Sequence, residues 1–247
     1  MTKEMISSSV NPTYKSWVKL LQKKYRMKEQ LFLVEGAHLV EEAVKAGVLK
    51  QVILREDTVY ECEVPVTILA RALFEKLEQT VTSSGIIGVC QMKALPIENH
   101  SRLLIVDDVQ DPGNLGTLMR SALAFGYNGM IMSTGTVDVY NEKVIRATQG
   151  ALFRLPILRT DLSDYLPNLQ AQGVRIYATA LHEMAVNSHE LKPETAMAFI
   201  VGNEGAGVKD ALIKQSDGAV VIPMSSEVES LNVGVAGSIL MCQFKGI

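Results

Sequence analysis

Short apolar runs, each closed by glycine, proline or polar residues, recur along the chain and alternate with stretches whose apolar residues fall at helical spacing. In the first part LFLVEG from Leu31, QVILRE from Gln51, VPVTILA from Val64 and GIIGVCQM from Gly85 predict strands, with helices over 37–46 and 71–79. The polar stretch 93–101, with Pro96 and Asn99, predicts a linker. Beyond it LLIVDDV, NGMIMS, LPILRT, VRIYATAL, AMAFIVG and GAVVIPM predict further strands. Helices are expected over 115–125 behind an N-cap at Asn114, over 140–148, around 165–172, over 208–215 and over about 232–242. Runs this continuously apolar suit strands buried on both faces. Their alternation with helices predicts an α/β fold, a largely parallel sheet with helices on both faces. The expected division is a smaller α/β domain over 1–95 and a second domain over 96–247.

The pattern changes over 11–28, NPTYKSWVKLLQKKYRMK, which predicts one helix. Trp17, Val18, Leu20, Leu21 and Tyr25 form its apolar stripe, while Lys15, Lys19, Lys23, Lys24, Arg26 and Lys28 take much of the rest, with no acidic residue among them. Basic residues beside aromatics are the footprint of phosphate contacts, although a solvated helix face has the same composition. The formal net charge is −3, so positive charge is concentrated here in a chain that is acidic on balance, which favours nucleic acid. Arg146, on the predicted 140–148 helix, joins these six as a candidate nucleic-acid contact.

Composition narrows the classes. With 247 residues, 47% hydrophobic and 21% charged, the chain suits one or two ordinary globular domains. No apolar stretch approaches the roughly 18 to 20 residues needed to cross a bilayer. The start, MTKEMISSSV, lacks the apolar core of a signal peptide. Cys62, Cys90 and Cys242 form no Cys-x-x-Cys pair, and His38, His100, His182 and His189 show no ligand spacing. The expectation is a cytoplasmic, metal-free protein without a disulfide framework or membrane partner.

Candidate chemistry gathers between Phe199 and Ala236. Two apolar runs end in turns, Gly202-Asn203-Glu204-Gly205-Ala206-Gly207 after the first and Pro223 after the second, and Ser230-Leu231-Asn232-Val233 then begins a helix. Loops at one edge of an open α/β sheet are where ligands bind. Two nucleotide motifs fail on spacing. A P-loop needs Gly-Lys-Ser/Thr, whereas Gly207 is followed by Val208 and Lys209. A dinucleotide fingerprint needs an acidic residue about 20 positions onward, where Val220, Val221 and Ile222 stand instead. Alone, the loop reads equally as a glycine turn joining strand to helix. Arg120 lies six positions after Asn114, less than two helical turns away and expected close to one helical face.

NLGxxxR at 114–120, GNEGAG at 202–207 and IPM…SLNVGVA at 222–236 together resemble the three motifs of the SpoU (TrmH) family of RNA ribose methyltransferases, in the SPOUT superfamily. The likeness covers 102 to about 244. The front portion, most of all LFLVEGAHLVEEA, resembles the family's smaller substrate-binding domain, with a fold like that of ribosomal protein L30e. The resemblance implies a SPOUT domain with a C-terminal trefoil knot behind that L30e-like domain, S-adenosyl-L-methionine as methyl donor, and a homodimer. Carried over by position, Gly202, Ile222 and Leu231 would line the adenosine pocket, with Thr179, Ala180, Leu181, Glu204 and Met224 as neighbours. Arg120 would be the central catalytic residue, with Asn114, Ser230 and Asn232 positioning it and the substrate. Gly234 stands where many relatives have serine.

The implied reaction is attack of a ribose 2′-oxygen of RNA on a sulfonium methyl group, and ribosomal RNA is the expected substrate, with transfer RNA the alternative. A guanidinium is a poor base because it stays protonated to a pKa above about 12. Stabilising an oxyanion or holding a phosphate suits it better. A non-catalytic RNA-binding protein on the same scaffold would show damage at Asn114 or Arg120, and neither position is altered.

Overall fold

The computed structural model describes residues 4–80, 83–180 and 185–246. In chain order the elements are β1 (Glu4–Ile6), α1 (Pro12–Lys19), α2 (Lys23–Glu29), β2 (Leu31–Glu35), α3 (Ala37–Lys45), β3 (Leu49–Arg55), β4 (Val66–Leu69), α4 (Arg71–Leu77) and β5 (Ile86–Gln91). Then come β6 (Arg102–Val106), α5 (Pro112–Ala124), β7 (Gly129–Met132), α6 (Glu142–Thr148), β8 (Ile157–Arg159), α7 (Leu162–Ala171) and β9 (Arg175–Thr179). The chain closes with β10 (Val186–Asn187), β11 (Met197–Val201), α8 (Asp210–Gln215), β12 (Gly218–Val221) and α9 (Val233–Gln243).

The chain divides into two compact units, Met1–Lys93 with Tyr140–Phe153, and Ala94–Val139 with Arg154–Ile247. The segment Tyr140–Phe153, which carries α6, therefore counts with the first unit although its sequence neighbours belong to the second. The first unit has a mixed sheet in the order β1-β4-β3-β5-β2. β3 and β4 run parallel, while β5 is antiparallel to both β2 and β3. One core joins Tyr14 and Trp17 of α1 and Leu20 just past it to Leu73, Phe74 and Leu77 of α4 over Ile53 and Ile87. Elsewhere in the unit Phe32 of β2 meets Tyr140 and Phe153, with ring centroids 4.8 and 6.3 Å away.

In place of one helix over 11–28 the structure has two. Arg26, only 8% exposed, donates from Nη1 to Leu20 O at 3.1 Å and Leu21 O at 2.9 Å. These carbonyls belong to the C-cap of α1 and the residue after it, and a guanidinium folded back onto them holds the turn that separates α1 from α2.

The second unit is a seven-stranded sheet among the described residues, in the order β10-β12-β9-β11-β6-β7-β8, with every pairing parallel. The central strand β11 is buried throughout, as its apolar run predicts. Leu162, Leu166 and Leu169 of α7 and Leu212 of α8 pack on one face, over Leu103, Ile105, Ala198 and Ile200. On the opposite face Phe199 meets Phe244 at 5.1 Å between centroids, just past α9. α9 lies close against α5: Ser121 Oγ and Ser238 Oγ are 2.7 Å apart, and a Cβ on Gly237 would run into Leu118 Cδ2.

Candidate active site

β6 and β11 lie side by side at the centre of the sheet, and the chain leaves them in opposite directions, from β6 to β7 on one side and from β11, past β9, to β12 on the other. Loops diverge at such a switch point and leave a crevice beyond the carboxyl ends of the strands. Loop 202–207, after β11, is closed on itself. Asn203 and Gly207 exchange two main-chain hydrogen bonds of 2.9 Å, and Asn203 Oδ1 accepts from the amides of Gly205 and Ala206 at 3.0 Å. Gly207 takes φ +71°, the left-handed region that favours glycine. At Gly202 a Cβ would run into the backbone of Gly207 and Val208. The glycine is thus required by the turn itself, rather than by a ligand approaching it. Gly202→Ala is expected to force the turn open at about 1–3 kcal/mol, lowering both thermal stability and ligand affinity; unfolding curves beside calorimetric titrations check this.

Glu204 reaches from this loop to the start of α5. Its Oε1 accepts from Asp111 N at 2.9 Å and Asn114 Nδ2 at 3.0 Å, and its Oε2 from Gln110 N at 3.1 Å. Burial raises the Glu204 carboxyl, but the hydrogen bonds from Asn114 and the two amides outweigh it and hold the group below its usual range. Asn114 Oδ1 in turn accepts from Asn232 Nδ2 at 2.8 Å. Asn232 Oδ1 caps α9, accepting from Gly234 N at 2.9 Å and Val235 N at 3.2 Å. One run of side-chain hydrogen bonds, Glu204 to Asn114 to Asn232, therefore ties together the three loops. Asn114 is not the N-cap of α5: Asp111 holds that place, accepting from Asn114 N at 2.8 Å.

Behind the loop sits a charged cluster that the sequence pattern did not single out. Asp107, 1% exposed, accepts from Lys209 N at 3.0 Å and pairs with Lys209 Nζ at 3.1 Å. The same ammonium meets Asp108 Oδ2 at 2.5 Å and, with Ser133, holds the Asp108 carboxyl below its usual range. Asp108 sits at φ 54°, a strained value for a non-glycine residue, so the ion pair and Ser133 hold an otherwise disfavoured turn. The readable signal was Asp107-Asp108 ending an apolar strand, with Lys209 just past the glycine turn.

A cavity of about 630 Å³ opens between these loops. Thr179, Ala180, Gly202, Glu204, Ile222, Met224, Ser230, Leu231 and Asn232 all line it. Thr179 Oγ1 donates to Ile200 O at 2.9 Å, so its hydroxyl is committed to β11. Leu181 lies outside the described residues. No basic residue lines the cavity among the described ones, whereas Glu204, Asp210 and Glu229 do. Among the described residues the main chain of Ile222, Met224 and Leu231 makes no backbone hydrogen bond, which leaves these groups to a ligand.

Arg120 is elsewhere. It is exposed on α5, does not line the cavity, and makes no hydrogen bond or ion pair among the described residues. Six residues along a helix are about one and two-thirds turns, which sets Arg120 and Asn114 about a third of a turn apart, so they do not share a face. Of the predicted RNA contacts, Lys15, Lys19, Lys23, Lys24 and Lys28 are exposed. Arg26 is spent on the carbonyls of the turn after α1, and Arg146 is half-buried near Glu35, its Nη1 enclosed without a hydrogen-bond partner among the described residues. Both stand apart from the exposed basic set.

Family comparison agrees with this layout. The SpoU rRNA Methylase family matches residues 101–242, and the MRM3-like substrate binding domain matches 11–88. The chain belongs to the SpoU rRNA methylase family. Among its SpoU relatives, the 23S rRNA (guanosine(2553)-2'-O)-methyltransferase RlmP of Bacillus subtilis (strain 168) is 39% identical, over 98% of this chain and 100% of that protein. The mitochondrial rRNA methyltransferase 3 of Homo sapiens is 27% identical, over 90% of this chain and 69% of that protein. The AdoMet-bound rRNA methyltransferase of Sinorhizobium meliloti has a crystal structure that superposes at a TM-score of 0.86, with 26% identity and 97% and 96% of the two chains covered. This SpoU chain is accordingly an RNA methyltransferase with a largely parallel α/β catalytic fold. No helix among its described residues is long and apolar enough to cross a membrane.

Proposed function

We propose that this SpoU protein transfers the methyl group of S-adenosylmethionine to a ribose 2′-hydroxyl of 23S ribosomal RNA, in the cytoplasm, as a two-fold homodimer whose C-terminal segment is threaded into a trefoil knot. The observation that carries the reading is the Glu204–Asn114–Asn232 run of hydrogen bonds at the mouth of a cavity without basic residues. The cavity chemistry fits the donor: carboxylates suit a cation, apolar walls at Ile222 and Leu231 suit adenosine, and free main-chain groups suit the adenine edge. A dinucleotide's phosphates would find no cation there. Full-length likeness to an enzyme named for 23S rRNA supports the substrate.

When bound, S-adenosylmethionine supplies a methyl group already activated on a sulfonium sulfur. The chain's own work is alignment and charge. Glu204 holds Asn114 in place, Asn114 orients Asn232, and Ser230 and Asn232 meet the ribose at the start of α9. As the 2′-oxygen gives up its proton to solvent and bonds to the methyl carbon, whose bond to sulfur breaks to leave a neutral thioether, the Arg120 guanidinium stabilises the charge on that oxygen. Because Arg120 stands away from the cavity of its own chain, a second copy must present it. α9 offers the surface for that pairing, with Val235 46% and Ile239 39% exposed one turn apart and Cys242 exposed beyond them. Light scattering at micromolar concentration is expected to give a dimer; a fully active monomer overturns the shared site.

The decisive experiment maps 2′-O-methyl groups in total RNA from a deletion strain, beginning with the 23S rRNA guanosine for which the B. subtilis enzyme is named. Loss of one methyl group, restored by the wild-type chain, is expected. No loss, or calorimetry showing NAD bound in preference to S-adenosylmethionine, overturns the reading. Neutralising Lys19, Lys23 and Lys24 is expected to weaken RNA binding and flatten its dependence on log salt by roughly one unit per lost contact, leaving donor affinity unchanged.

A further inference from the structure

Tyr25 of α2 is half-buried between two exposed lysines. Lys19 Nζ, from the end of α1, lies 5.7 Å from its ring centroid, and Lys24 Nζ lies 6.0 Å away. The break between α1 and α2 makes this grouping. In an unbroken helix Lys19 and Tyr25 would stand about a third of a turn apart; here the chain folds back at Leu20–Gln22. The Arg26 bonds to Leu20 O and Leu21 O then hold the ring's own helix in place.

Both ammonium groups sit at the outer limit of cation–π contact, and at exposed sites such contacts are weak. Either can leave the ring for a stronger partner. A ring uncovered in this way, with cations beside it, has the composition of a single-strand binding surface, where bases stack on aromatic faces and phosphates pair with ammonium groups. Paired RNA could use the lysines but not the ring, because its bases are already stacked. We propose that Tyr25 is a stacking platform for an unpaired RNA base, with Lys19 and Lys24 holding the phosphates on either side of that base. This rests on the reading of the protein as an RNA methyltransferase and names which part of its substrate the first unit grips.

The test is fluorescence anisotropy of the full chain with a short labelled oligouridylate and with a paired RNA duplex of the same length, each at two salt concentrations. Tyr25→Phe is expected to bind both like wild type. Tyr25→Leu keeps apolar bulk without a π-face; it is expected to bind the single strand about tenfold more weakly, with an unchanged salt slope and unchanged duplex affinity. Lys19→Gln with Lys24→Gln is expected to flatten the slope for both RNAs. Single-strand affinity unchanged in Tyr25→Leu, with the lysine changes still weakening binding, overturns the platform and leaves the RNA reading standing. If neither set weakens binding, the RNA role of α1 and α2 falls with it. Tyr25→Trp gives an independent reading: its indole emission is expected to be quenched by the single strand and not by the duplex, and equal emission in both overturns the proposal.

Discussion

Arg120→Ala is expected to slow methyl transfer by about 10²–10³-fold while S-adenosylmethionine affinity and thermal stability stay at wild-type levels. The side chain is exposed, makes no bond among the described residues and lines no part of the cavity in its own chain. Its removal therefore takes away charge at the reacting oxygen and nothing from the core. Single-turnover transfer beside donor titration separates the two. A shared site adds a sharper outcome. Mixing Arg120→Ala with Asn232→Ala, each inactive alone, should restore activity, because one of the two sites of the mixed dimer carries both intact groups. Near-wild-type turnover by Arg120→Ala would remove the residue from the mechanism, and failure of the mixture to recover would place all the chemistry within one copy.

Glu204→Gln is expected to lower both donor affinity and turnover by about tenfold or more, although the two side chains have nearly the same shape. The carboxylate accepts from Gln110 N, Asp111 N and Asn114 Nδ2. An amide keeps one acceptor oxygen and sets its NH₂ against at least one of those donors, costing about 1–3 kcal/mol. The loop would part from α5, and Asn114 would lose the partner that orients it toward Asn232. The pH dependence has a definite direction. Glu204 in the folded protein ionises below its usual range, so its contribution is complete above the unfolded value of about 4.3 and fades as pH falls through the lower, folded value. Transfer measured from neutral pH upward should show no titration of Glu204.

Much of this frame was legible in the residues. The unbroken apolar runs of β6 and β11 announced buried strands, and the Ser230–Asn232 stretch before an apolar run announced the start of a helix, which Asn232 caps. The glycine turn was legible as a turn, but not the reason for its glycines. Gly202 serves backbone packing within the loop, and no one-dimensional pattern carries that distance. Asn114 was misplaced as a cap because Asp111 caps equally well; Pro112, favoured at the first helical position, pointed to Asp111. Arg26 counted as one more cation in a basic run, since a sequence does not show that a guanidinium has turned inward onto carbonyls. β1 and β10, of three and two residues, are too short to leave a periodic signal. The passage of Tyr140–Phe153 into the first unit depends on partners far away in the chain, and local composition says nothing of it.

That passage matters for how the protein is made. Phe32, buried in the finished molecule, is covered by Tyr140 and Phe153, and a side chain at Gly150 would collide with Glu42 of α3. As the polypeptide leaves the ribosome, residues up to Lys93 emerge well before the segment that completes their packing. The nascent first unit must wait with an aromatic surface uncovered while β6, α5 and β7 are still being synthesised. A domain that closes only after part of its neighbour has been translated cannot fold strictly from the N-terminus onward, and during that interval it is open to chaperones, to premature association and to proteolysis.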